Sequence, residues 1–385
     1  GKRDMPQLIE TTLKDGSSNR IWWKNHKFRT SDMFTYNVPS EPKNATLDPD
    51  AQTMDIDYRN NFTGTMKKET MFYRPGMRYN PRNRYVVQYH PILHYLDKDG
   101  YLPGFRTKIS YSTLEYVEAD LNIGLKTKKP FYSIWGGRRR SFKDIDQINY
   151  YIFDLQGVRG SGMKLIKEID QNYSINGLKR IEFSYYENQV KDTSRTHLFD
   201  EGEIIVSSTT IHSVFAKINN QINFGFTPFK SSDWSFNRIT ITNSFEQKLG
   251  LFGTRFRQIY GQIWSNQNDV PLQERYNVEG AGSLDLYTKS YLRDKTSFYG
   301  NQNFFGQYHL PGDANLRAFG NQGFAGVEQA FAITIEGFLS KSFAGINLEL
   351  AAFIDQGTLS GSKFTLGDKG FDGNTLVDYG IGLRI

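Results

Sequence analysis

The sequence lacks cysteine, and it also lacks any long apolar run. None of the 385 residues is Cys, which excludes disulfide bonds and thiolate metal sites. No stretch approaches the ~18–20 consecutive apolar residues that a membrane-spanning helix needs, which excludes helical membrane proteins. Hydrophobic residues make up only 38% of the chain. The residues from Gly1 to Pro6 have no apolar stretch of signal-peptide type, so we expect a mature chain or a fragment.

Aromatic residues, in contrast, are abundant for such a polar chain. They reach 15%, with 23 Tyr and 29 Phe, and Gly numbers 35. A transmembrane β-barrel has this composition because its outer face carries an apolar band with aromatic girdles while its lumen stays polar. The net charge of +6 suits anionic lipid head groups as well as nucleic acid. Since Lys and Arg are spread along the whole chain, we expect no nucleic-acid partner.

Beyond residue 83 the sequence alternates with a period of two, which indicates strands with one face in lipid and the other in water. The last strand shows this pattern, with Val377, Tyr379, Ile381, Leu383 and Ile385 on one face and Asp378, Gly380, Gly382 and Arg384 on the other. We therefore predict an all-β fold, a transmembrane antiparallel β-barrel of about 12–16 strands with 16 favoured, over residues 83–385. A soluble β-sandwich or propeller is the alternative, since its strands alternate too.

The chain before this barrel divides in two. Residues 1–61 carry short strand-like runs between Pro, Asp and Asn residues, and we expect a short β-rich segment there. Residues 62–82 are polar, with two Pro-bounded turns, and are predicted to be a linker.

The last ~75 residues resemble the end of a BamA-superfamily barrel, the bacterial surface antigen type. Leu316-Arg317-Ala318-Phe319-Gly320 is similar to the family's Val-Arg-Gly-Phe/Tyr signature on a loop that folds into the lumen. Thr334-Ile335-Glu336 resembles the strand with an inward glutamate, and Phe353-Ile354-Asp355-Gln356-Gly357 resembles the family's Phe-x-Asp-x-Gly strand end. Ala318 departs from the family, which has Gly there.

The resemblance implies a lumen loop held by Arg317, with Phe319 beside it. The alternation independently places Glu336 and Asp355 on the water side, and a carboxylate accepts bidentate hydrogen bonds from a guanidinium. We predict that Arg317 contacts Glu336 or Asp355. An ordinary solvated loop residue is the alternative for this arginine.

The N-terminal residues resemble another family. Thr46-Leu47-Asp48-Pro49-Asp50 and Asp55-Ile56-Asp57-Tyr58-Arg59-Asn60-Asn61 are similar to the end of an aminopeptidase-N-type metallopeptidase. The similarity covers ~60 residues, and a generic Asp/Asn-rich turn region is the alternative. It implies that residues 1–61 are the remnant of a peptidase-type region.

Catalytic motifs are not visible in this sequence. The zinc motif His-Glu-x-x-His is absent, and in His90-Pro91-Ile92-Leu93-His94 a proline replaces the glutamate. In a strand these two histidines lie ~13 Å apart, too far to share a zinc ion at ~2 Å. We expect no catalytic residue, no metal site and no cofactor in this chain, although it could be a fragment of a zinc metallopeptidase.

The favoured function is that of an outer-membrane β-barrel module in a Gram-negative bacterium. It would anchor an aminopeptidase-N-type metallopeptidase whose zinc domain is not in this chain. The alternatives are a BamA-type assembly or translocation barrel, or a pore. Expected partners are outer-membrane lipid and lipopolysaccharide, together with other outer-membrane or periplasmic subunits.

Overall fold

The structure, a computed structural model, describes most of the chain. The described residues are 7–23, 33–50, 52, 58–64, 66–73, 81–96, 99–142, 144–155, 157–169, 176–191, 199–228, 232–265, 270–277, 313–314, 316, 326–343, 346–360, 365–366, 369–370 and 375–384. Over these residues the fold is all-β, as predicted, and its helical structure consists of short 3-10 turns. No helix in this part of the chain is long and apolar enough to cross a membrane.

Three short strands form a sheet at the start of the chain. They are β1 (Gln7–Leu13), β2 (Ser18–Trp23) and β3 (Pro42–Leu47). Both β2 and β3 pair antiparallel with β1, so β1 is the central strand. A further strand, β4 (Lys67–Phe72), lies within the segment that was predicted to be a linker.

The remaining strands follow in chain order and most of them are long. They are β5 (Arg84–Leu96), β6 (Gly100–Tyr111), β7 (Glu115–Ile123), β8 (Pro130–Phe142), β9 (Ile145–Leu155), β10 (Val158–Glu168), β11 (Gly177–Val190), β12 (Gly202–Phe215), β13 (Ile218–Phe226), β14 (Phe236–Leu249), β15 (Phe252–Ser265), β16 (Tyr276–Asn277), β17 (Gly326–Val327), β18 (Gln329–Phe343), β19 (Ile346–Ser360), β20 (Thr365–Leu366), β21 (Lys369–Gly370) and β22 (Thr375–Arg384).

The long strands belong to one sheet whose order nearly follows the chain. From one end to the other it runs β22-β19-β18-β15-β14-β13-β12-β11-β10-β9-β8-β7-β6-β5-β4. Of its 15 strands, β4 lies before residue 83, so 14 of the described strands come from the segment that was predicted to form the barrel. This number falls within the predicted range and is two short of the favoured number. The sheet is mixed rather than purely antiparallel, because β4 pairs parallel with β5. The two-stranded pairs β16-β17 and β20-β21 are separate.

The chain divides into two compact units. The first comprises Gly1–Pro91 with Phe105–Glu118, and the second comprises Ile92–Gly104 with Ala119–Ile385.

In the first unit, Asp48 is a buried acceptor near the N-terminal sheet. It adopts the left-handed conformation with φ of 50°, which Asp tolerates better than most residues. Its carboxylate accepts hydrogen bonds from the Tyr58 hydroxyl at 2.7 Å and from the Gln52 amide at 2.9 Å. The Tyr58 amide in turn donates to the Tyr111 hydroxyl at 2.7 Å.

Tyr111 therefore departs from the expected alternation. A period of two puts Tyr111 on the same face as Phe105 and Ile109, which are exposed, yet Tyr111 is fully buried. Its ring packs in a cluster with Tyr58 and Leu114. The contact with Tyr58 joins residues 53 positions apart, so the local pattern contains no sign of it.

Candidate functional site on the buried face of the sheet

Strands β15, β18, β19 and β22 present one buried and one exposed face, and the buried face carries charged residues. On β22, four of the five apolar side chains predicted to face lipid are 57% to 81% exposed, namely Val377, Tyr379, Ile381 and Leu383. The fifth, Ile385, lies outside the described residues. Asp378, on the opposite face, is buried. The predicted assignment of the two faces of this strand is therefore confirmed.

A row of polar residues crosses the buried face from strand to strand. Arg257 on β15 is in register with Thr334 on β18, and Thr334 is in register with Asp355 on β19. Asp355 is in register with Asp378 on β22. Both carboxylates are buried, at 0% and 6% exposed. The two carboxylates are thus adjacent on the buried face, and the guanidinium-bearing Arg257 lies in the same row.

A second cluster is centred on Arg255, two residues before Arg257. Its guanidinium donates to Glu336 Oε1 at 2.9 Å and to Glu349 Oε2 at 2.8 Å. It also donates to Glu246 Oε2 at 2.9 Å. The same group lies 4.0 Å from the ring centroid of Phe338, a cation–π arrangement. One arginine therefore connects carboxylates from three strands.

Glu336 has a partner that the sequence did not indicate. It is buried, and Arg255 from the adjacent strand is one of its partners. Arg317 and Phe319 lie outside the described residues, so the contact of Arg317 with Glu336 or Asp355 stays a prediction.

The chain before Arg317 nevertheless reaches this face. Ala314 and Leu316 are fully buried, and Arg257 donates to the carbonyl oxygen of Asp313 at 2.8 Å. A Cβ atom added at Gly357 would lie 3.0 Å from Leu316 Cδ1. Gly357 is two residues from Asp355 on the same strand, so Leu316 packs one row away from the paired carboxylates.

Residues 270–277, which we call the inner segment, are also buried on this face. The segment contains a short 3-10 turn, Leu272–Glu274, followed by β16. Glu274 is 1% exposed and accepts hydrogen bonds from the Tyr186 hydroxyl at 2.6 Å and from Arg238 Nη1 at 3.0 Å. These donors come from β11 and β14, so one carboxylate ties the inner segment to two distant strands.

Further bonds hold the two ends of the inner segment. At its start, Leu272 donates its amide to Asp200 Oδ2 at 2.8 Å. At its end, the Tyr276 hydroxyl donates to the carbonyl oxygen of Ile239 at 2.8 Å. Burial raises the pKa of Tyr276 to about 12, so this hydroxyl keeps its proton and remains a donor at neutral pH. Between them, Arg275 donates to the carbonyl oxygen of Val270 at 2.8 Å.

An apolar cluster surrounds these polar contacts. Its buried members come from the strands, from the inner segment and from the residues before Arg317: Ile204, Val206, Phe236, Ile259, Ile263, Val270, Tyr276, Ala314, Leu316, Val327, Ala330, Ala332 and Leu359. The buried face of the sheet is therefore packed with both apolar and hydrogen-bonded side chains.

The sequence did not point to the inner segment, because the expected lumen loop was the one that carries Arg317 and Phe319. One signal was available. Val270, Leu272 and Tyr276 are apolar residues within a stretch that does not alternate, which is unusual for a solvated loop.

The two histidines considered for metal binding lie where the sequence placed them, in strand β5. The ring of His90 stacks on Tyr73 at 4.8 Å between centroids. Among the residues that the structure describes, no group of three or more His, Asp or Glu side chains could hold a metal ion.

Comparison with known proteins gives structural neighbours only. No family model matches the chain, and no curated protein matches it. The crystal structure of BamA from Haemophilus ducreyi lacking POTRA domains 1-3 is 13% identical, with a TM-score of 0.43, over 72% of this chain and 58% of that one. CdiB from Acinetobacter baumannii is 10% identical, with a TM-score of 0.41, over 78% of this chain and 53% of that one.

The chain thus spans little more than half the length of these two structures. The peptidase-like character of residues 1–61 stays a prediction.

Proposed function

We propose that this chain is an outer-membrane β-barrel module with a filled interior, and that it anchors an aminopeptidase-N-type metallopeptidase. The zinc domain would lie outside this chain. The observation that carries the proposal is the packing of the inner segment and of Leu316 on the buried face, where Glu274 and Leu316 are 1% and 0% exposed. In a barrel the buried face is the lumen, and a lumen filled in this way suits an anchor better than an open pore.

The exposed face supports the membrane part of the proposal. Large apolar side chains are exposed on strand after strand, including Phe183, Phe224, Ile335, Ile354 and Ile381. A water-soluble protein rarely exposes such a large apolar surface, whereas a barrel requires it against lipid. Outer-membrane lipid and lipopolysaccharide are the partners that this surface fits.

The peptidase part of the proposal is supported by the resemblance of residues 46–61. Asp48 and Tyr58 from that stretch are buried and hydrogen-bonded to each other, which supports a structured region over a solvated turn at these two residues. In this arrangement residues 1–61 end the peptidase and residues 83–385 form the anchor.

The test uses the full-length protein in its native membrane. A site for a specific protease is inserted after Gly64, between the two regions, and membranes are treated with that protease. We expect aminopeptidase activity to move from the membrane fraction to the supernatant while the barrel stays behind. A matched insertion at the exposed turn residue Gly250, which has open space around it, should leave the activity on the membrane.

Two outcomes would overturn parts of the proposal. If the membranes carry no aminopeptidase activity before cleavage, the anchor role is wrong and a BamA-type assembly or translocation barrel takes its place. If the purified protein conducts ions through planar bilayers without any mutation, the filled interior is wrong and the pore is favoured.

A further inference from the structure

The exposed face of the last long strands is not smooth but carries a groove. The groove is lined by residues of β14, β15, β18, β19 and β22 and has a cavity volume of about 550 Å³. This volume is in the usual range for pockets that hold small ligands. All of the lining residues belong to the second compact unit.

Small side chains form the floor of the groove. Thr254, Gly337 and Ala352 lie in register on β15, β18 and β19, and all three are exposed. Ala352 is also in register with Ile381 on β22, which is 78% exposed. Because residues in register point to the same side of a sheet, the floor belongs to the exposed face and not to the filled interior.

Large apolar side chains form the two sides of the groove. Two residues along each strand from the floor, the side chains point to the same face again. Towards the β14–β15 turn, the row that also lines the cavity consists of Phe252, Leu339 and Leu350. On the other side of the floor, the corresponding row consists of Phe256, Ile335 and Ile354. The floor is therefore a depression between two rows of larger residues.

Gly337 indicates that the floor makes room for a group from outside the chain. Its backbone does not adopt the left-handed conformation that favours glycine, and an added Cβ atom would meet no atom of the described residues within 4 Å. At Gly261, by contrast, the missing side chain makes room for the Tyr276 ring, 2.5 Å from the added Cβ atom. Glycine inside a strand weakens the strand and often marks the close approach of a ligand.

A lipid tail is the group that the surroundings of the groove supply. An empty groove leaves its lining atoms without contacts on one side, which forfeits dispersion energy. Water does not fill an apolar groove of this kind, because it finds too few hydrogen-bond partners there. Since the neighbouring exposed side chains, such as Ile335 and Ile354, are the ones assigned to hydrocarbon, an acyl chain is at hand to fill the groove.

Lys341 provides a charge that complements a lipid head group. It follows Leu339 by two residues on β18, so it points to the same face as the groove, and it is exposed. Gly337 lies four residues before it, ~13 Å along the strand. Lys341 is also two residues from the end of β18 at Phe343. A lysine in this place binds a phosphate oxygen as a point charge.

We propose that the groove binds one acyl chain of a phospholipid whose phosphate pairs with Lys341. This lipid is held as a bound molecule, whereas the lipid around the rest of the exposed face exchanges freely. The proposal rests on the membrane position of that face in the proposed function, and it holds whether or not the barrel anchors a peptidase.

Photolabelling of the full chain, purified in an uncharged detergent, tests the groove. The probe is a trace of phosphatidylglycerol whose tail carries a photoreactive diazirine, and mass spectrometry identifies the labelled peptides. Labelling of β15, β18 and β19 at the groove is compared with labelling around Phe183, which is exposed on β11. We expect the groove to be labelled at least about fivefold more, the factor for one lysine acting on an anionic lipid.

Four variants separate the groove from the rest of the exposed face. Gly337→Leu fills the floor and should reduce the labelling of the groove to the level around Phe183. Ser161→Leu is the matched control, because it adds the same side chain at an exposed position on β10, and it should keep the excess. Lys341→Gln should lose the excess, and Lys341→Arg should restore it. If Gly337→Leu does not fold, Ala352→Leu fills the same floor and should give the same loss.

Several results would overturn the proposal. Equal labelling of the groove and of the Phe183 region in the wild type would show that the groove holds no bound lipid. An excess that persists in Gly337→Leu and Ala352→Leu would show the same. An excess that persists in Lys341→Gln, or that lipopolysaccharide removes more readily than unlabelled phosphatidylglycerol does, would contradict the phospholipid. Cross-links between two copies of the chain at the groove would assign it to a second copy.

Failure of this proposal can be distinguished from failure of the proposed function. If both the groove and the Phe183 region are labelled equally, the exposed face still contacts lipid and only the bound lipid is wrong. If neither is labelled, the membrane position of the exposed face is wrong as well.

Discussion

Replacing Glu274 removes the acceptor at the centre of the inner segment. Breaking a buried ion pair from one side costs about 3–5 kcal/mol, because the other charge stays buried without its partner. Arg238 keeps 17% of its side chain exposed, which places the expected cost of Glu274→Ala at the lower end, about 3 kcal/mol. Glu274→Gln keeps the shape and one acceptor, so its cost should be nearer the ~1.5 kcal/mol of a weaker charged hydrogen bond.

Urea unfolding of the protein in detergent micelles, followed by tryptophan fluorescence, measures these differences. A double-mutant cycle with Arg238→Ala isolates the pair, and we expect a coupling energy of about 1–3 kcal/mol. Glu41→Ala is the control. The ion pair of Glu41 with Lys14 is largely exposed, so this substitution should barely change the urea midpoint. If Glu274→Ala unfolds within ~0.5 kcal/mol of the wild type, the inner segment is not held as described.

Two further substitutions test other contacts of the buried face. Arg255→Ala leaves Glu246, Glu336 and Glu349 without their common donor and should lower the unfolding free energy by about 2–4 kcal/mol. The control Arg159→Ala, at an exposed position on β10, should change the unfolding free energy little. Equal urea midpoints for the two variants would contradict the cluster around Arg255. Gly357→Val brings a Cβ within 3.0 Å of Leu316 and of the Phe331 carbonyl, so we expect a loss of about 1–3 kcal/mol and faster proteolysis after residue 316. The side chain of Gly337→Val enters open space, so this variant should show neither the loss of stability nor the faster proteolysis. An equal loss of stability in Gly337→Val would show that the effect of Gly357→Val is not specific.

The sequence was sufficient to predict the class of fold and the faces of the last strands. The faces of β22 follow from local alternation, because neighbouring residues of a strand point to opposite sides. The parallel position of β4 did not follow, since Lys67–Phe72 looks like a polar linker and its pairing is made by backbone groups that the sequence does not display.

The candidate site was predicted only in part, for a related reason. The alternation of their own strands set Glu336 and Asp355 apart from the exposed apolar face, and both are buried in the structure. Arg255 was missed because its partners Glu336 and Glu349 lie 81 and 94 residues away, and only the register between strands brings them together. The inner segment was missed because, in the sequence, its charged residues look like those of a surface loop. Only the structure shows that Tyr186 and Arg238 lie beside Glu274.

The central claim, that one face of the sheet meets lipid and the other a filled interior, is tested most directly on β22. Single cysteines are introduced in this Cys-free chain at Val377, Tyr379, Ile381 and Leu383, and at Asp378, Gly380 and Gly382. Each is labelled with an environment-sensitive fluorophore, and the protein is reconstituted in vesicles containing a lipid-phase quencher. We predict strong quenching at the odd-numbered positions and weak quenching at the even-numbered ones. Equal quenching at both sets, or none at either, would contradict the account.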